Sequence, residues 1–126
     1  MNISNSIINL AIEESTKGDH KQKIGAVIFN KKQILSFGHN SSQRAVRHLH
    51  PKFQRYPFSV HAEVDAIIKA KRDLKGATLL VIRVNPKNQF RLAKPCKKCM
   101  EYIEYIGIKK VFYSISSFPY IEELVE

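Results

Sequence analysis

Tryptophan is absent from the chain, and cysteine and methionine occur twice each. The two cysteines, Cys96 and Cys99, stand too close together to staple a small domain, which excludes a disulfide scaffold. Five glycines and five prolines are too few for a collagen-like or low-complexity chain. No apolar run approaches the ~18 residues a membrane span needs. Residues 1–10 carry no basic side chain ahead of their apolar positions, a poor match to a signal peptide. The expectation is a cytoplasmic protein with no membrane association. Acid is scarce as well: Asp and Glu number 11 against 21 Lys and Arg, a formal net charge of +10.

What is present is an ordinary globular balance, 44% hydrophobic and 25% charged over 126 residues. That length suits a single domain spanning 1–126, and such a domain buries roughly two-thirds of its unfolded surface without help from cross-links. The charge is unevenly placed. No acid lies between Asp19 and Glu63, nor between Asp73 and Glu101, and both windows are rich in Lys and Arg. Such a field favours anionic partners, either nucleotides or nucleic acid.

Apolar spacing supplies a coarse element order. Ile3, Ile7, Leu10 and Ala11 recur at helical intervals, with Gly18 as a stop. Ile24 to Phe29 reads as a strand, joined through Asn30-Lys31-Lys32 to a hairpin partner from Gln33 to Gly38. Asn40 to Ser59 is long, polar and basic, with little periodicity. His61 to Arg72 reads as a helix with Gly76 beyond its end, Ala77 to Val84 as a buried strand, and Asn85 to Lys94 as a basic loop. Cys96 to Ile106 is a helix that Pro95 opens and Gly107 closes, and Lys110 to Ile115 is a strand. The tail from Ser116 fits either a turn and a strand or a short helix. This order predicts an α/β chain with a three-layer α/β/α architecture and a mixed central sheet of four to five strands.

Two short motifs carry chemistry. His61-Ala62-Glu63 opens one predicted helix, and Pro95-Cys96-Lys97-Lys98-Cys99 opens another. Thiols three residues apart at a helix start face one side. The partial positive charge of the helix N-terminus favours their thiolates. Two thiolates and one imidazole make a three-ligand zinc site that keeps a fourth position for water, as catalytic zinc does. Glu63, in the same turn as His61, is placed to move protons at that position. Two other readings fit parts of the pattern. Cys-x-x-Cys alone is also a thiol redox pair, or half of a structural zinc site with His48 or His50 as fourth ligand.

His-x-Glu followed by Pro-Cys-x-x-Cys is the signature of zinc nucleobase deaminases, and over nearly its whole length the chain resembles the cytidine deaminase-like superfamily. The resemblance implies that superfamily's fold, one Zn2+ per chain held by His61, Cys96 and Cys99, and Glu63 as the catalytic proton shuttle. It also implies a substrate contact from Asn40, which stands in the Gly38-His39-Asn40 context, and one from the backbone of Ala62. Asp65 departs from the Asn that deoxycytidylate deaminases often show there. An antiparallel strand in the tail would bring the chain nearer the nucleoside deaminase branch. Members of this size often complete the pocket with a second subunit, so a homo-oligomer is expected.

The substrate class implied is a pyrimidine nucleoside or nucleotide, converted from cytosine to uracil form. Arg44, Arg47 and Arg55 are candidate phosphate contacts, because the guanidinium pairs bidentately with phosphate. Phe53, Tyr56 and Phe58 interleave with them, a pattern that fits a stacked base or single-stranded nucleic acid as well as core anchoring. A base deaminase acting on cytosine or adenine in tRNA or single-stranded DNA is the second reading. A non-catalytic zinc-stabilised binding module is the third.

Overall fold

The computed structural model describes residues 3–17, 23–40 and 61–124. In chain order the elements are α1 (Asn5–Ser15), β1 (Lys23–Asn30), β2 (Gln33–His39), α2 (Ala62–Ala70), β3 (Thr78–Val84), β4 (Phe90–Arg91), α3 (Lys97–Ile106), β5 (Lys110–Ser114) and β6 (Ile121–Glu123). The strands form one mixed sheet in the order β2-β1-β3-β5-β6, with β4 on β3. β1 is antiparallel to both β2 and β3, β3 and β5 are parallel, and β6 returns antiparallel to β5. Within the tail, Ile121–Glu123 is therefore a strand.

Alternating side chains of the central strands feed two apolar layers. Ala26, Ile28, Leu79, Val81 and Val111 pack with Ala66, Ile67, Tyr102 and Ile103 of α2 and α3. Val27, Phe29, Leu80, Ile82 and Phe112 pack with Ile7 and Ala11 of α1. Helices thus cover both faces, giving the three-layer α/β/α arrangement. The α1 helix approaches β1 over Gly25, where a Cβ would lie 2.5 Å from the Ser15 backbone nitrogen and nearer still to the Ala11 carbonyl.

Local chemistry sets the element ends. Ser4 caps α1 through its side chain, and Thr16 closes it. Gly18, the expected stop, lies outside the described residues. The turn between β1 and β2 is Lys31-Lys32, with Lys31 at φ +57°. The α2 helix is shorter than its apolar spacing suggests. It ends at Ala70 with Lys71 in the left-handed region, and Gly76 sits later, in the turn before β3. Gly107 closes α3 at φ +94°, as its position predicts. The segment expected to be a plain basic loop contains the two-residue strand β4, which makes six strands among the described residues. Ser114 explains it: buried where β4 meets β5, its hydroxyl accepts from Arg83 N at 3.0 Å and donates to Arg91 O at 2.6 Å.

Sheet direction decides where chemistry collects. β2 and β3 both run against β1, so they share a direction, and Gly25 of β1 pairs with both His39 and Ile82, each near the C-terminal end of its strand. Asn40 closes β2 beyond that level: its N–H donates to Ile24 O at 3.2 Å, and its Oδ1 accepts from Ile24 N at 3.0 Å. The N-terminus of α2 lies at this end, because Asp65 of its first turn accepts from His39 N. The α3 helix follows β3 and starts at the same end. In open α/β sheets the carboxyl ends of the parallel strands are where ligands bind.

Candidate metal centre and active site

His61 and Cys96 occupy equivalent places, each the N-cap of its helix in extended conformation. The His61 side chain makes no capping bond, which leaves the imidazole free to face α3. Cys96 Sγ accepts from Cys99 N at 3.5 Å, so the α3 N-terminus favours its thiolate. His61 Nδ1 lies 3.0 Å from Cys99 Sγ and 3.8 Å from Cys96 Sγ. All three donor atoms fall within 4.8 Å of one another.

That cluster fits zinc. Zn–S bonds of ~2.3 Å and Zn–N bonds of ~2.0 Å in a tetrahedron separate donors by roughly 3.5 Å, which is the spacing class seen here. Two thiols and one imidazole are also a zinc-type donor set, and three protein ligands leave one tetrahedral position for a non-protein ligand. His61 and Cys96 are exposed while Cys99 is buried, so the cluster opens outward from a buried base. Without metal the thiols share a proton unequally. The hydrogen bond from Cys99 draws the Cys96 thiol down to about 5, and the same bond, with burial, pushes Cys99 up. Metal binding must displace that proton.

Glu63 sits in the first turn of α2, only 4% exposed, with His61 and both thiols acting electrostatically on its carboxyl. Burial raises its pKa above the ordinary carboxylate range. A carboxyl so placed is suited to proton transfer beside the metal position. Ala62, between His61 and Glu63, is fully buried. Asn40 is buried at the end of β2, with its carbonyl oxygen committed to Ile24. Arg44, Arg47 and Arg55 lie outside the described residues, as do His48, His50 and the aromatics interleaved with them.

The tertiary fold adds members that spacing alone did not single out. Asp65, marked in the sequence only as a departure from a family pattern, is buried and accepts from His39 N at 3.0 Å. Ser36 of β2 donates to Ala66 O at 2.7 Å, also buried. Gly38 lets α2 lie against β2, since a Cβ there would come within 2.6 Å of Ala66 N. The sequence signals for these were Gly38, in the Gly38-His39-Asn40 context, and Asp65, two residues after Glu63.

Fold and cluster together define a zinc-site α/β/α domain of the deaminase type. The family described as the cytidine and deoxycytidylate deaminase zinc-binding region matches residues 1–115, and the chain belongs to that family. An uncharacterized deaminase in the luxG 3' region of Aliivibrio fischeri is 33% identical over 97 residues, covering 75% of this chain and 59% of that protein. The chain thus spans about three-fifths of that relative's length. Among solved structures, the dCMP deaminase of cyanophage S-TIM5 superposes with a TM-score of 0.58 at 21% identity, covering 92% of this chain and 88% of that one. A second structure of that enzyme holds dCMP and dUMP. A diaminohydroxyphosphoribosylaminopyrimidine deaminase/5-amino-6-(5-phosphoribosylamino)uracil reductase of Thermotoga maritima superposes with a TM-score of 0.57 at 27% identity, covering 90% of this chain and 30% of that one.

Proposed function

We propose that the chain, acting as one domain over 1–126, is a zinc-dependent hydrolytic deaminase that converts a cytosine nucleoside or nucleotide to its uracil form. The observation that carries this is Glu63, a buried carboxyl in the first turn of α2, two residues from His61 and within electrostatic reach of both thiols. A structural zinc site or a redox pair has no use for such a group. Zinc held by His61, Cys96 and Cys99 supplies Lewis acidity that makes water a nucleophile near neutral pH.

The rest of the reaction falls to the chain's own groups. Glu63 takes a proton from the attacking water and delivers it to the ring nitrogen next to the amino-bearing carbon. Oxygen bonds to that carbon. Glu63 then passes the second water proton to the amino group, the C–N bond breaks, and ammonia leaves. Water and the cytosine base are consumed, uracil and ammonia are formed, and the carboxyl ends as it began. The Ala62 backbone and Asn40 hold the base and sugar, and Arg44, Arg47 and Arg55 take a phosphate where the substrate has one. The dCMP and dUMP held by the cyanophage enzyme of similar fold support a nucleotide. A homo-oligomer is part of the reading.

The +10 charge favours a second substrate form, a base within single-stranded nucleic acid. Ammonia release from cytidine, deoxycytidine, CMP, dCMP and a cytosine-containing single-stranded oligonucleotide tests both. Turnover of a free nucleoside or nucleotide supports the first form. Turnover of the oligonucleotide alone, falling steeply with salt, supports the second. Activity on none of them overturns the cytosine assignment.

A further inference from the structure

The last residue of β2, His39, is held from both helical layers. On one side, Asp65 of α2 takes its backbone N–H on Oδ2 at 3.0 Å. The same carboxylate oxygen pairs with Lys69 Nζ at 2.8 Å. On the other side, Glu14 of α1, also buried, places Oε1 3.3 Å from His39 Nδ1 while its second oxygen holds Lys17 at 2.7 Å. Both carboxyl groups come from inside the fold to the end of an edge strand. The strand body needs neither, since β1 already pairs with β2 from Gly25↔His39 to Asn30↔Gln33.

The helix side is built for this contact. Asp65 Oδ2 lies so close over Gly38 that a Cβ there would be 2.7 Å from it. Asp65 is 5% exposed, so its carboxylate is desolvated for the sake of one backbone N–H and one lysine. The residue after His39 is Asn40, and two residues before Asp65 is Glu63. One hydrogen bond therefore ties the strand end carrying the substrate-contact candidate to the helical turn carrying the proton shuttle.

We infer that Asp65 is a positioning residue of the deamination. Through His39 N–H it sets Asn40 in register with Glu63, and Glu14 steadies the His39 ring from the opposite face. This rests on the deaminase reading above. Asp65 touches neither substrate nor metal in this scheme. Its removal acts on substrate fit, through Asn40, rather than on the zinc or on Glu63.

The test uses full-length zinc-loaded protein and the best substrate of the panel above. Asp65→Ala is expected to raise KM about tenfold, the equivalent of leaving one half-buried N–H unpaired. The change in kcat is expected to be smaller, with zinc content and secondary structure retained. Asp65→Asn keeps an acceptor for His39 N–H and is expected to restore KM to near the wild-type value. Lys69→Ala removes only the ion pair and is expected to match wild type. Wild-type KM in Asp65→Ala, or Asp65→Asn as impaired as Asp65→Ala, overturns the inference, as does an effect that tracks zinc loss. Should Asp65→Ala not fold, Asp65→Glu keeps the charge but shifts the oxygens by one methylene. A raised KM there supports positioning, and an unchanged KM overturns it. An inactive wild type would instead remove the deaminase reading, and the positioning role with it.

Discussion

Glu63 is the residue on which the reaction reading turns. Glu63→Gln keeps its size and polarity but cannot accept a proton. The expected outcome is retention of one zinc per chain with deamination slowed by roughly 10²–10⁴-fold, read by ammonia release beside a metal assay. Equal turnover would remove the proton-shuttle role. His61→Ala is expected to behave differently. It takes away a ligand rather than a shuttle, so zinc content falls and activity falls with it. The two variants separate holding the metal from using it. At this scale the sequence was informative, because His61, Glu63, Cys96 and Cys99 are grouped by local spacing at two helix starts. Asp65 was not legible in the same way. Its meaning comes from His39, 26 residues away in the chain.

At the scale of elements, two small residues hold the active end of the sheet together. Gly38→Ala would drive a Cβ toward Ala66 N and Asp65 Oδ2, at 2.6 and 2.7 Å, so α2 must shift off β2. A loss of about 1–3 kcal/mol is expected from the overpacking, with a larger proportional loss of activity because Glu63 moves with α2. Thermal unfolding and a kinetic assay on the same sample check both parts. Ser114→Ala removes the hydroxyl that joins Arg83 N to Arg91 O. Leaving that half-buried N–H unsatisfied is expected to cost about 1 kcal/mol. Amide exchange should speed at β4 first, since its two residues pair only with Arg83 and Val84 of β3. The element boundaries that sequence placed well, such as Gly107 after α3, are those set by local backbone chemistry. The ones it placed less well, such as the end of α2 and the existence of β4, depend on neighbours distant in the chain.

In the molecule as a whole, a metal held by His61 from α2 and by Cys96 and Cys99 from α3 cross-links two elements separated in sequence by β3 and β4. Chelation of zinc is therefore expected to lower the unfolding temperature, and readdition to restore it, because a ligand that binds only the folded chain stabilises it. The sign with pH follows from the donors. Thiols and imidazole bind zinc deprotonated, so acidification should release it and lower stability, while neutral pH retains it. Zinc content after dialysis across a pH series checks this. The sequence by itself determined most of the helix and strand types and the α/β/α class, and it grouped His61, Glu63, Cys96 and Cys99 at two helix starts. It could do so because each rests on spacing or capping within a few positions of the chain. Only the tertiary structure decided that β6 closes the sheet antiparallel, that β4 exists, and that Asp65 and Glu14 converge on His39. These rest on contacts between residues far apart in sequence, and the burial that makes such contacts matter arises only when the layers pack.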